Sequence, residues 1–206
     1  MSEKQISKEC RELAAIAYGE ASPKDVELEM FAIAAVMLRQ RDARGYKDIC
    51  TFVTKDKTYS FVVRDGNVRY KKMMKADEAE IAKDEGMSMA VKAANNALSG
   101  GEDHSNGAYF WDGADIKSNY KKHAKVKLGI KFTDPKHNIY GIKESQSIVI
   151  KYKTEKHKMK GKVVSTTKTE VDRYENVYDS TAGYGGTIFW KFNRAYVRVT
   201  GAREYI

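Results

Sequence analysis

The chain has 206 residues, 42% of them hydrophobic, and a mean hydropathy of −0.62, the balance of a water-soluble protein with one sizeable core. No apolar run approaches the ~20 residues of a membrane span, and two cysteines, Cys10 and Cys50, are too few for a disulfide framework, although a bond between them stays open. The net charge of +9 is uneven, because residues 117–168 hold fifteen lysines against Asp134, Glu144 and Glu155. Such a segment either suits a polyanionic partner or is a solvated face that keeps the protein soluble.

Ile6, Cys10, Leu13, Ala14 and Ala17 recur at helical spacing behind a Ser2/Gln5 capping box, which predicts a helix to about Glu20. Ser22-Pro23 stops it and starts a second helix over 23–40, with Ser22 as N-cap. Met30, Phe31, Ile33, Ala34, Val36, Met37 and Leu38 make that helix apolar nearly all round, as expected of a core element. A short strand is expected over 58–63, and a third helix over 76–98 closed by Gly100-Gly101. From about Ile148 the composition turns to Val, Ile, Thr and aromatics, which predicts strands at 148–152, 163–169, 187–192 and 196–200. The expected fold class is α+β: a helical domain over 1–142, followed by a lysine-rich antiparallel β extension over 143–206 packed on it.

Glu20 stands in Ala15-Ile16-Ala17-Tyr18-Gly19-Glu20-Ala21, a stretch with no other charge. Apolar surroundings and the negative end of a helix dipole both favour the neutral carboxyl, the state a general acid needs. Tyr59, Tyr109, Trp111 and Tyr140 are candidates for aromatic contacts to a ligand, whereas Phe110 belongs to the core because its neighbour Trp111 faces the other way. Ser60 is open between a hydrogen bond to a substrate or to Glu20 itself and a plain loop serine. His104, His123, His137 and His157 lack ligand spacing, and there is no phosphate loop or nucleophile elbow, so neither metal nor cofactor is expected.

Residues 13–21, Leu-Ala-Ala-Ile-Ala-Tyr-Gly-Glu-Ala, resemble the opening motif of the cell-wall hydrolase family typified by spore-cortex-lytic enzymes. The similarity continues in order through the arginine-rich turn with Arg39, Arg41 and Arg44, then Tyr46-Lys47-Asp48-Ile49-Cys50 and Tyr59-Ser60. It extends over the 93–100 helix end, Asn106-Gly107-Ala108-Tyr109-Phe110, and His137-Asn138-Ile139-Tyr140, and ends near Ile142. Ser22-Pro23, Thr58-Tyr59 and Ile139 depart from the family pattern of Arg-Gly, Gln-Phe and Phe. The resemblance implies a lysozyme-like helical fold in which Glu20 protonates the bond between N-acetylmuramic acid and N-acetylglucosamine in bacterial peptidoglycan. It implies that Tyr59, Ser60, Tyr109, Trp111, His137 and Tyr140 line the substrate.

One evident acid favours a lytic transglycosylase over a muramidase, since the sugar's own C6 hydroxyl can then replace water; Asp103, Asp112 and Asp115 are the candidates for a second carboxylate. The first residues carry no export signal, so the expectation is synthesis in the cytoplasm and delivery to the wall by a route, or with a partner protein, that the sequence does not encode. The competing class is a non-enzymatic binder of nucleic acid or another polyanion, which would leave the Glu20 motif without a role.

Overall fold

The computed structural model describes residues 5–56 and 66–204. The strand expected at 58–63, with Tyr59 and Ser60, and the Ser2 cap lie outside the described residues. What is described is α+β. Helices α1 (Lys8–Glu20), α2 (Glu27–Ala43), α3 (Ile49–Lys55), α4 (Val68–Lys75), α5 (Glu78–Lys83) and α6 (Glu85–Leu98) come first. They are followed by β1 (Phe110–Asp112), α7 (Asp115–Ser118), α8 (Ala124–Leu128), β2 (Ile130–Lys131), β3 (Val149–Met159), β4 (Lys162–Tyr174), β5 (Tyr178–Tyr184), β6 (Thr187–Phe192) and α9 (Arg194–Thr200).

The helical half is built around α1, which packs on α2, α4 and α6. Ala14, Ala15, Ala17, Ala32, Ala34, Ala90, Ala93 and Ala94 are wholly buried, and their small side chains let the helix backbones approach closely. Leu13, Ile16, Met30, Ile33, Met37 and Phe52 fill the space between them, each burial contributing about 1.5–3 kcal/mol. The first helix ends at Glu20 as expected, but it is capped by Ser7, whose hydroxyl accepts from the Cys10 N–H.

Two helix boundaries differ from expectation, one through a tertiary contact and the other through a local cap. α2 starts at Glu27 rather than Pro23, since Asp25 takes a left-handed backbone (φ 51°). Arg69 holds that loop by pairing with Asp25, donating to the Tyr18 carbonyl at 2.7 Å and stacking 3.8 Å over the Tyr18 ring. The 76–98 helix is split into α5 and α6 at Asp84, whose extended backbone ends one helix while its side chain caps the next on the Met87 N–H.

β1, β6, β5 and β2 form one sheet in that order, with β1–β6 and β5–β6 antiparallel and β2–β5 parallel. This sheet crosses the boundary placed at 142: its central hairpin, β5–β6, comes from the extension and its edges, β1 and β2, from the earlier part. Its two faces serve different cores. Phe189 joins the helical core, while Ile188 and Trp190 join Ile116, Val126 and Ile130 in a second cluster, as alternation along β6 requires. β3 and β4 form a separate two-stranded ribbon. The strand expected at 196–200 is instead helix α9, because Asn193 caps the N–H groups of Ala195 and Tyr196 and Gly201 closes the helix at φ 71°. Cys10 and Cys50 are free thiols. Among the described residues no helix is long and apolar enough to cross a membrane.

Candidate active site

Glu20 is the last residue of α1, where the chain leaves the helix with the Ala21 N–H still bonded to the Ala17 carbonyl at 3.0 Å. Its position places the carboxyl at the negative end of the helix dipole. Burial raises its pKa, and one hydrogen bond opposes this: the Trp111 indole N–H donates to Oε2 at 3.1 Å. That contact follows from strand register. Trp111 lies directly opposite Phe189, so both project from the same face of the sheet, the one packed on the helical core. Phe110 points the other way and packs with the second cluster, as alternation predicts.

A second glutamate, unforeseen from the sequence, builds the floor beside this corner. Glu29 on α2 is fully buried and accepts three hydrogen bonds, from the Ser22 hydroxyl at 2.7 Å, the Gly186 N–H at 3.0 Å and the Thr187 hydroxyl at 2.7 Å. The expected N-cap role of Ser22 is thus replaced by a tie from the Glu20–Ser22 loop to the β5–β6 turn. Gly185 is required in that turn by its backbone, at φ 56°, and by space, since a Cβ there would run into the Glu29 carboxylate. The sequence signals for this site are two acids, Glu27 and Glu29, in the first turn of an apolar helix and the run Gly183-Tyr184-Gly185-Gly186.

The expected closing motif reaches the same turn. Tyr140 donates its phenol hydrogen to the Gly186 carbonyl, and its pKa is pushed up by burial first and then by the charges of Glu29 and Asp115. His137 lies in a 3₁₀ turn (Pro135–His137) pressed on Gly183 of β5, with Nδ1 2.9 Å from the Ser180 hydroxyl; burial lowers its pKa against the opposing charge of Asp134, which favours the neutral ring. His137 and Tyr140 therefore tie the 135–140 segment to the β5–β6 hairpin, which Glu29 and Ser22 in turn join to the loop that follows Glu20. Tyr109 enters a different arrangement: its ring lies 5.5 Å beneath the Arg39 guanidinium, and its carbonyl accepts from Gln40 at 2.6 Å.

The three aspartates considered as a second carboxylate have distinct environments. Burial would raise the Asp103 pKa, but the Ser105 hydroxyl, the Gly107 N–H and Arg39 outweigh it and hold it low; that carboxylate organises the 103–107 loop. Asp112 is buried and bonded to Lys125 at 2.8 Å. His123 Nε2 lies 3.3 Å from both Asp112 and Asp115, and the bond to Asp112 raises its pKa against the opposing effect of burial. Among the described residues, Asp112, Asp115 and His123 are the group whose spacing could hold a metal ion, but the Lys125 ammonium already neutralises Asp112. Asp115 alone of the three aspartates is largely exposed.

Comparison with known proteins finds no significant match to this chain among family models, curated sequences or solved structures.

Proposed function

We propose that this chain is a peptidoglycan glycosidase with a lysozyme-like helical region, cleaving the bond between N-acetylmuramic acid and N-acetylglucosamine through Glu20. The single observation that carries the reading is a half-buried carboxyl with a raised pKa at the end of α1, beside an indole N–H. A raised pKa favours the protonated carboxyl, which can deliver its proton to the leaving glycosidic oxygen as the C1–O bond breaks. The Trp111 N–H then stabilises the carboxylate left behind, which takes the proton of the incoming nucleophile.

The ring-closing route is favoured over hydrolysis. Glu29 is sealed by three donors, Asp103 is held by Arg39 and Asp112 by Lys125, so these acids are occupied with structural bonds. With Glu20 alone, the muramic acid C6 hydroxyl attacks C1 and loses its proton to Glu20, and no water-activating partner is needed. Mass analysis of fragments released from purified peptidoglycan tests this. The expected products end in 1,6-anhydro-muramic acid, lighter by one water than hydrolytic products. Reducing-end muramic acid would instead make Asp115 the residue to replace by Asn, and no release at all would remove the glycosidase reading.

A further inference from the structure

None of the contacts around Glu20 comes from the β3–β4 ribbon, which is rich in lysine. Its strands, of 11 and 13 residues, extend about 35 Å and are exposed on both faces along nearly their whole length. The root is firmly fixed: Arg198 of α9 makes two bonds to Asp172, at 2.6 and 2.9 Å, and Tyr174 meets Tyr196 edge-on at 5.1 Å. The tip is closed by Lys160 and Gly161, both at positive φ, as in the tight turns that match strand twist.

Charge is sorted along this arm. Its acids, Glu155, Glu170 and Asp172, are each paired, with Lys153, Arg173 and Arg198. Beyond Glu155 the outer part carries Lys156, Lys158, Lys160 and Lys162 with no acid among them; Lys168 stands one step nearer the root, opposite Thr154, and none of these five makes an ion pair among the described residues. Lys156 stands opposite Thr166 and Lys168 opposite Thr154, so these two lysines have a hydroxyl beside them across the ladder, while Lys158 and Lys162 stand opposite Val163 and Met159. Alternate residues on one face are about 7 Å apart, an array of charges and hydrogen-bond donors suited to a linear polymer rather than to a compact ligand.

We propose that the β3–β4 ribbon is a docking arm for an anionic phosphodiester polymer of the bacterial wall, holding the enzyme on its substrate. The choice of a wall polymer rests on the glycosidase reading; the charge complementarity of the arm does not. Lysines also guard exposed strand edges against pairing with other chains, and the test separates that role from docking.

The intact protein is compared with a variant carrying Lys156→Gln, Lys158→Gln, Lys162→Gln and Lys168→Gln, by co-sedimentation with walls that retain a teichoic-type polymer and walls stripped of it, and by binding to soluble poly(glycerol phosphate). Expected are a loss of at least about 10-fold in binding on stripping the wall, a similar loss in the variant, and recovery when the same four positions carry arginine. An unchanged thermal midpoint and unchanged cleavage of short uncharged glycans would show that the variant is folded. Equal binding to both kinds of wall, or by both proteins, would overturn the proposal and leave the lysines as edge guards. Tighter binding to duplex DNA than to poly(glycerol phosphate), or a ribbon-dependent dimer that the polymer does not dissociate, would overturn it in favour of another occupant. Because sedimentation reads attachment and fragment mass reads cleavage, failure of one reading is distinguishable from failure of the other.

Discussion

Replacing Glu20 by Gln separates the catalytic claim from the structural one, because the two properties should move in opposite directions. The amide is nearly isosteric and can still accept the Trp111 indole N–H that reaches Oε2 at 3.1 Å. It cannot donate an acid proton, so wall lysis should fall by about 10²-fold or more. Stability should rise at neutral pH. The folded pKa of Glu20 is raised, mainly by burial, above an unfolded value near ~4.3. The folded state therefore binds the proton more tightly than the unfolded state. The wild-type chain loses stability as pH climbs from the unfolded pKa to the folded pKa, at about 1.4 kcal/mol for each unit between them. The neutral amide is free of that loss. Urea unfolding of both proteins from pH 3.5 to 8 should give coincident curves at the acid end and a more stable variant at pH 7, with each 1 kcal/mol appearing as about 2–4 °C in thermal midpoint. A constant stability difference across that range would mean that Glu20 titrates as an ordinary solvated carboxyl. Full lysis by the folded variant would end the catalytic assignment.

Trp111→Phe keeps an aromatic ring against the core but deletes the donor on Glu20, so the carboxylate loses support, the acid's pKa moves further up, and the alkaline limb of the pH–rate profile shifts to higher pH; an unmoved limb would disconnect Trp111 from the acid. Glu29→Gln turns an amide NH₂ toward a site built from three donors and should cost about 2–4 kcal/mol in urea unfolding, whereas a change below about 0.5 kcal/mol would show the lock to be dispensable. Truncation after Ile142 removes β5 and β6 and strips Ile188 and Trp190 from the cluster around Ile116, Val126 and Ile130, so an insoluble or unfolded product is expected; a stable, active fragment would make the sheet an appendage.

Residues close in the chain were the legible ones. The 3.6-residue rhythm of Leu13, Ala14 and Ala17, and the apolar sweep of α2, identified the helical core because burial is written into local periodicity. The carboxyl at Glu20 stood out for the same reason: an isolated charge among small apolar residues at a helix end. The alternation that puts Phe110 and Trp111 on opposite sides was equally local.

What lay beyond the sequence were partners distant along it. Nothing near Trp111 tells that its indole meets a carboxylate 91 residues away, since that depends on β1 pairing with β6 in one register. Ser22 carries a good N-cap signal, yet its hydroxyl serves Glu29, because a buried carboxylate needs every donor within reach. Residues 196–200 have strand composition but follow an asparagine cap and precede a glycine at φ 71°, and with the sheet edges already taken by β1 and β2 they coil as α9 and brace the ribbon. The division at 142 follows the end of the resemblance, with the change to strand composition a few residues later at about Ile148. Hydrogen bonding ignores composition, and β5–β6 found its pairing partners in β1 and β2. The sequence by itself determined the apolar stripes of the core helices, the lone acid and the lysine surplus, all set by neighbours within a turn or two. Tertiary structure alone decided which groups surround that acid and which lysines stand free in solvent, because those depend on contacts whose cost in chain entropy is met only when the whole core forms.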